Sequence, residues 1–282
     1  MSNKLSAEEI PILLSDYRLT FEPAIDATYS IRAENLLDSE LALVYLQTIA
    51  PFFQSASLLV TASLFGKRYS VLTMASAFYA MSRYDKGLHV AIDNIWVEAE
   101  GHAKPWLPNV RFIDHTVSVP TIDRKSWRDE VLKGIFADNL AKVWQSLMKV
   151  SKIPKTILWE NTAIYVNWLY ETKIREGANE QEITRLQEDY AYIVHEAPGA
   201  LFGEKKNPLT KYCGPKVTIK ESEQPIRLRK TCCFYYHTSD EANDFCISCP
   251  KIKRLVYKFL KVNKCDVYSL FLTLKISVCY LI

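Results

Sequence analysis

All seven cysteines of this 282-residue chain lie beyond residue 212, at Cys213, Cys232, Cys233, Cys246, Cys249, Cys265 and Cys279. A disulfide-stapled fold would spread them along the chain, so the larger N-terminal part must hold together without such bridges. The composition permits that, with 49% hydrophobic residues, and a domain near this length buries about three quarters of its extended-chain surface. Charge divides at nearly the same place. Residues 1–203 carry 20 Lys and Arg against 25 Asp and Glu, whereas residues 204–264 carry 14 against 6. An acidic body precedes a basic segment, and a net charge of only +3 gives no argument for nucleic-acid binding.

The body reads as mainly helical. Two uncharged runs, Leu41 to Gly66 and Tyr69 to Ser82, resemble a transmembrane hairpin by composition, but Gln47, Pro51 and Gln54 interrupt the first and the second is short for a span. Three buried helices are expected instead. Asp38 or Ser39 caps the first, Pro51 opens the second, and a Gly66-Lys67-Arg68 turn precedes the third. From Leu88 to Val119 the β-branched and aromatic content, broken by turn residues from Gly101 to Pro108, predicts a short antiparallel pair.

Helical spacing then returns in Trp127, Val131, Ile135, Phe136, Leu140, Val143, Trp144 and Leu147, one face of a long helix. Pro154 opens another, with Ile157, Leu158, Ile164, Tyr165, Trp168 and Leu169 as its face. Asn179, with Glu182 three residues on, is a capping box for a third, which Pro198 and Gly199 end. The expected fold class is α+β, mainly α: a helical body over residues 1–210 with a small antiparallel sheet, a four-cysteine segment over 211–254, and an apolar tail over 255–282. Lys4, Glu8, Glu9 and Pro11 leave no signal-peptide core near the start, so a cytoplasmic location with reduced thiols is expected.

Several chemistries lack their residues. The eight glycines never form G-x-G, no Walker loop occurs, and His195-Glu196 has no second histidine to complete a zincin site. No G-x-S-x-G elbow is present either. His195 is explained by the helix end it closes; His115 beside Asp114 is a candidate acid/base pair.

What the sequence does carry is Arg227-Leu228-Arg229-Lys230-Thr231-Cys232-Cys233, then a polar loop, then Cys246-Ile247-Ser248-Cys249-Pro250. The pattern is C-C-x12-C-x2-C. A C-x2-C turn brings two thiolates onto one ion, and four soft anionic donors suit either zinc or an iron–sulfur cluster. Neighbouring side chains of an extended segment point to opposite faces, so the vicinal pair demands a sharp turn or two metal centres. Two buried small hydrophobes are the plainer reading of that pair alone.

The Arg-Lys-Thr-Cys-Cys opening and the Cys-Ile-Ser-Cys-Pro closing resemble the C-terminal signature of the ferric siderophore reductase (FhuF-like) family. More weakly, the resemblance extends over the helical body, through Pro198-Gly199-Ala200-Leu201-Phe202-Gly203 and Asn207-Pro208-Leu209. Such proteins are also described as resembling the C-terminal domain of IucA/IucC siderophore synthetases. The resemblance implies a [2Fe–2S] cluster on Cys232, Cys233, Cys246 and Cys249, and one-electron reduction of a ferric hydroxamate-type siderophore with release of iron(II). Cys213, Cys265 and Cys279 are then non-ligands. Arg227, Arg229, Lys230, Lys251, Lys253 and Arg254 flank the motif, so a small acidic electron-donor protein is the expected partner. Trp96, Trp106, Trp159 and Trp168 are candidates for a substrate pocket. The tail departs from the family pattern; its basic and apolar halves fit peripheral contact with the inner membrane. The competing readings are a four-cysteine zinc module and a non-catalytic siderophore-binding or synthetase-like protein.

Overall fold

A computed structural model describes residues 4–100, 106–219, 222, 224–238 and 244–252. The chain forms α1 (Glu9–Asp16), β1 (Leu19–Thr20), β2 (Ile31–Arg32), α2 (Ser39–Ile49) and α3 (Leu58–Tyr84). Four short strands follow: β3 (Gly87–Leu88), β4 (Ile95–Glu98), β5 (Asn109–Phe112) and β6 (Val117–Ser118). Then come α4 (Arg124–Ile135), α5 (Ala141–Ser151), α6 (Lys155–Glu171) and α7 (Glu180–Ala191). The architecture is α+β, mainly α.

Everything is arranged around α3. From Val60 to Ser82 only Arg68 escapes burial, and a helix with no solvent face must be ringed by other elements. α2, α4, α5, α6 and α7 all pack on it. Two expected boundaries are corrected here. Pro51 lies in a 3-10 turn, Ala50–Phe53, that ends α2 rather than opening a helix. Gly66, Lys67 and Arg68 run on inside α3. A Cβ on Gly66 would stand 2.8 Å from Leu158 Cδ2, with Trp144 and Leu147 close by, so glycine is what lets α6 approach. Lys67 Nζ lies 5.9 Å from the Tyr165 ring centroid, and Arg68 Nε donates to the Trp106 carbonyl at 2.7 Å.

Local signals fix several helix starts. The Asp38 carboxylate accepts from the amides of Glu40 and Leu41, and Asp123 does the same for Lys125 and Ser126. Asn179 and Glu182 form the expected capping box. The long helix expected through Trp127 and Leu147 is α4 and α5 joined by a π-helical turn, Phe136–Leu140. A second π turn, Tyr192–Glu196, follows α7. Asn207 Nδ2 donates to the Ile193 carbonyl at 2.8 Å and Thr210 Oγ1 to Val194 at 2.7 Å, which serves carbonyls that the widened turn releases.

The expected antiparallel pair is β4 with β5, registered Trp96 to Arg111. The sheet extends further. β2 adds to β4 antiparallel and β1 adds to β5 parallel, giving the order β1-β5-β4-β2. Leu88 belongs to a separate two-stranded ribbon of β3 and β6. Among the described residues no single helix is long and apolar enough to cross a membrane; α2 with its 3-10 end and α3 pass that test only as a pair bent by 87°. The 255–282 tail, with Cys265 and Cys279, lies outside the described residues.

The body's main polar clamp is Asp189, which is 0% exposed. Its carboxylate accepts from Arg124 at 2.7 and 2.8 Å, from Arg128 at 3.0 Å and from Ser82 at 2.8 Å, tying α3, α4 and α7 together. Burial opposes its ionisation, but Arg124, Ser82 and Arg128 outweigh burial and hold the carboxyl below the usual range. Replacing Asp189 by Asn takes the counter-charge from Arg128 and leaves Arg124 with Asp85 alone, an expected loss of about 3–5 kcal/mol in urea unfolding near neutral pH. The Asp189 contribution is complete above its unfolded pKa near ~3.9 and disappears as pH falls through the lower folded value. Wild type and Asp189→Asn should therefore converge in stability in strong acid, and equal stability at pH 7 would refute the clamp.

Candidate metal centre

The helix that opens at Pro154 buries Glu160, Asn161 and Asn167 along with its apolar residues. Glu160 is 2% exposed, and a buried carboxylate needs strong donors. The basic segment supplies them. The Lys230 and Thr231 amides each donate to it at 2.6 Å, and the Thr231 hydroxyl donates as well. Beside it, Asn161 Oδ1 accepts from Arg229 at 2.5 Å while Asn161 Nδ2 donates to the Ser63 carbonyl at 3.2 Å. Ser63 Oγ then donates to the Cys233 carbonyl at 2.9 Å. Two helices of the body thus grip the strip that leads into the vicinal cysteines.

The two halves of the motif are joined at the same point, where the Arg229 amide donates to the Ser248 carbonyl at 2.9 Å. Phe234 adopts φ 64°, so the chain doubles back directly after Cys233, the sharp turn that a vicinal pair requires. That turn brings the Phe234 N–H onto Cys232 Sγ at 3.4 Å. In the second half the Cys249 amide donates to the Cys246 carbonyl at 2.8 Å, closing the C-x2-C turn.

Cys233, Cys246 and Cys249 are buried and Cys232 is half-buried; with Phe245, Tyr235, Tyr236 and Ile252 they form a small core apart from the main one. The Cys232 and Cys249 sulfurs are 3.9 Å apart. The bond between these thiols draws Cys232 down to about 7 and pushes Cys249 up to about 11. Among the described residues no three His, Cys, Asp or Glu side chains meet at one point as ligands of a single ion. As donors, four thiols in an apolar basin, one carrying a backbone N–H, suit an iron–sulfur cluster.

The other sequence candidates fall elsewhere. Cys213 is outside the basin, its Sγ bonded to Asn167 Oδ1 at 3.1 Å, and burial pushes it up to about 11. His115 does not pair with Asp114. Its Nε2 sits 2.8 Å from the Phe112 carbonyl, and Asp114 accepts from Thr116. Trp106 and Trp159 are core residues and Trp96 lies under Arg111. Trp168 lines an opening, a cavity of about 350 Å³ between α6 and residues 224–229. The basic run turns partly inward: Arg227 pairs with Glu171 at 2.8 Å and Arg229 is buried, while Lys251 lies 3.8 Å from the Tyr236 ring centroid. Lys253 and Arg254 are outside the described residues. Sequence reading missed Glu160 and Asn161, whose one signal is a pair of polar residues next to Trp159 in an apolar helix.

A family model described as ferric iron reductase FhuF-like transporter matches residues 63–215, and one described as FhuF 2Fe-2S C-terminal domain matches residues 229–251. The chain belongs to the FhuF-like family. Its C-terminal segment is therefore a [2Fe–2S] domain, and its role is that of a ferric iron reductase of this kind. No curated protein matches the chain. The first matched region contains Ser63, Glu160 and Asn161, and the second begins at Arg229, so the buried network is the junction between them.

Glu160→Ala would leave the part-buried Lys230 and Thr231 amides without this acceptor, at about 1–3 kcal/mol each. The expected result is loss of most bound cluster and rapid proteolysis between residues 216 and 231, with the helical body melting within a few degrees of wild type. Full cluster retention would show that the carboxylate does not seat the segment.

Proposed function

We propose that Cys232, Cys233, Cys246 and Cys249 hold the [2Fe–2S] cluster, and that the protein passes one electron to iron(III) in a hydroxamate-type siderophore, releasing iron(II). The observation that carries this reading is the gathering of these four thiols, 17 positions apart at their widest, into one buried basin within the matched 2Fe-2S region. The cluster, when bound, supplies single electrons. Iron(III) is a hard cation that oxygen donors hold tightly, and iron(II) is larger and softer, so one electron loosens the complex.

The residues around the basin favour that role. Each thiolate adds negative charge, so donors to sulfur stabilise the reduced, more anionic state. Phe234 N–H is such a donor to Cys232, and Lys251 stands beside the aromatic cover at Tyr236. Tyr235, Tyr236 and Phe245 limit water access. The sequence has no nucleotide fingerprint of its own, so a small acidic redox protein in the cytoplasm is the proposed donor, approaching where Lys230 and Lys251 flank the cysteines.

Anaerobically purified protein should be red-brown, with two irons and two inorganic sulfides per chain and visible absorbance bleached by dithionite. Serine at any of the four positions should abolish that absorbance, whereas Cys213→Ser should retain it. A colourless protein holding one zinc would replace this reading by the zinc module, and an intact cluster that yields no iron(II) from a ferric trihydroxamate would leave only a binding protein. With a ferredoxin or flavodoxin donor, the reduction rate should fall severalfold as salt is raised past physiological strength; a salt-independent rate would remove the acidic partner.

A further inference from the structure

The cavity between α6 and residues 224–229 has two kinds of wall. Ile164, Trp168, Ile226 and Leu228 make one apolar. Glu171, Lys216 and Arg227 make the other charged, but these charges are engaged with each other. Glu171 binds Lys216 at 2.7 Å and Arg227 at 2.8 Å, and it also accepts from the Tyr190 hydroxyl at 3.2 Å. Arg227 Nε donates in addition to the Gly214 carbonyl at 2.7 Å. The cavity also reaches the metal centre. Ser248, inside the Cys246–Cys249 turn, lines it, as do Glu160 and Arg229 of the network that seats the vicinal cysteines. One short turn therefore carries two thiols and closes one side of the cavity.

We propose that the ferric complex docks in this cavity for reduction, with Trp168 as its contact surface and the Glu171 clamp as the element that selects its charge. The inference rests on the reductase reading and adds where the substrate sits. Three singly charged hydroxamates neutralise iron(III), so the complex presents amide and methylene surface and no net charge from its core. An apolar wall accepts such a surface, and the rim, two cations on one carboxylate, keeps its ion pairs while it does so. Three doubly charged catecholates leave a net charge of about −3, and burying that charge requires cations free to pair with it. Here Glu171 holds both Lys216 and Arg227. The volume of about 350 Å³ falls in the range of about 300–1,000 Å³ of small-molecule sites.

Gallium(III) complexes test this without turnover, because gallium matches iron(III) in charge and is not reduced. Holoprotein with an unchanged cluster spectrum is titrated calorimetrically with gallium(III) trihydroxamate and gallium(III) tris-catecholate. Wild type should prefer the trihydroxamate. Trp168→Ala should weaken its binding about tenfold and raise KM for the ferric complex by a similar factor. Ile164→Trp, which fills the cavity while leaving Trp168 in place, should do the same and guards against a folding defect in the first variant. Glu171→Gln, which frees two cations, should shift relative affinity about tenfold towards the catecholate. If wild type reduces the ferric complex but binds no gallium complex, or if the variants bind within twofold of wild type, the substrate docks elsewhere. Wild type that binds through Trp168 yet releases no iron(II) would instead overturn the reductase reading and leave the site standing.

Discussion

The position of the metal centre depends on one buried carboxylate. Glu160 sits in the middle of α6, surrounded by core, and neutral burial without partners would cost several kcal/mol. Three donors satisfy it, and all belong to Lys230 and Thr231, seventy positions along the chain. Two are backbone amides, which have a fixed direction and cannot swing away as side chains do. The requirement runs both ways: α6 needs the strip to pair its carboxylate, and the strip takes its position from α6. Asn161 repeats the arrangement with Arg229 on one side and Ser63 on the other. A cysteine pair leaving such a grip starts from a defined position, which is the condition for a preorganised cofactor site.

Asp189 makes an instructive contrast. It too is a buried carboxylate, but it accepts from two guanidinium groups of α4 and from Ser82, all inside the body. That clamp would persist if the C-terminal segment were released, because none of its members comes from beyond residue 189. The small core around the cysteines is likewise separate from the main one. The body and the metal segment thus have separate cores, joined by the polar network around Glu160 and by Phe234 and Tyr235, which pack against the main core.

What the sequence revealed follows from how local each determinant is. Asn179 and Glu182 cap a helix three residues apart, and Cys246 and Cys249 close a turn across the same distance, so both were legible. The strip Gly66-Lys67-Arg68 reads as a turn because its reasons lie elsewhere: Leu158 for the glycine, Tyr165 for the lysine, the Trp106 carbonyl for the arginine. β1, β2, β3 and β6 are two residues long and leave no alternation to detect. The π turn at Phe136–Leu140 is invisible to a 3.6-residue pattern, yet it directs Asn139 to the Tyr69 hydroxyl and the Val90 carbonyl. Glu160 escaped notice for the same reason as Gly66. Its partner is distant, and an isolated acid in a helix ordinarily faces solvent.

The inward turn of the basic run changes the electrostatic argument for the cluster. Counted along the sequence, Arg227, Arg229 and Lys230 form a positive block beside the cysteines. In the fold Arg227 shares Glu171 with Lys216, and Arg229 is bonded to Asn161 and the Thr231 carbonyl. One carboxylate shared by two cations leaves a single net positive charge on that cluster, so its field at a distance is reduced to about half rather than removed. The groups left to act on the cysteine sulfurs are closer and smaller: the Phe234 amide at 3.4 Å from Cys232, and Lys251 over the Tyr236 ring. These short-range groups act on the sulfurs alongside that reduced positive field, and the same carboxylate that engages Lys216 and Arg227 forms the charged wall of the neighbouring cavity.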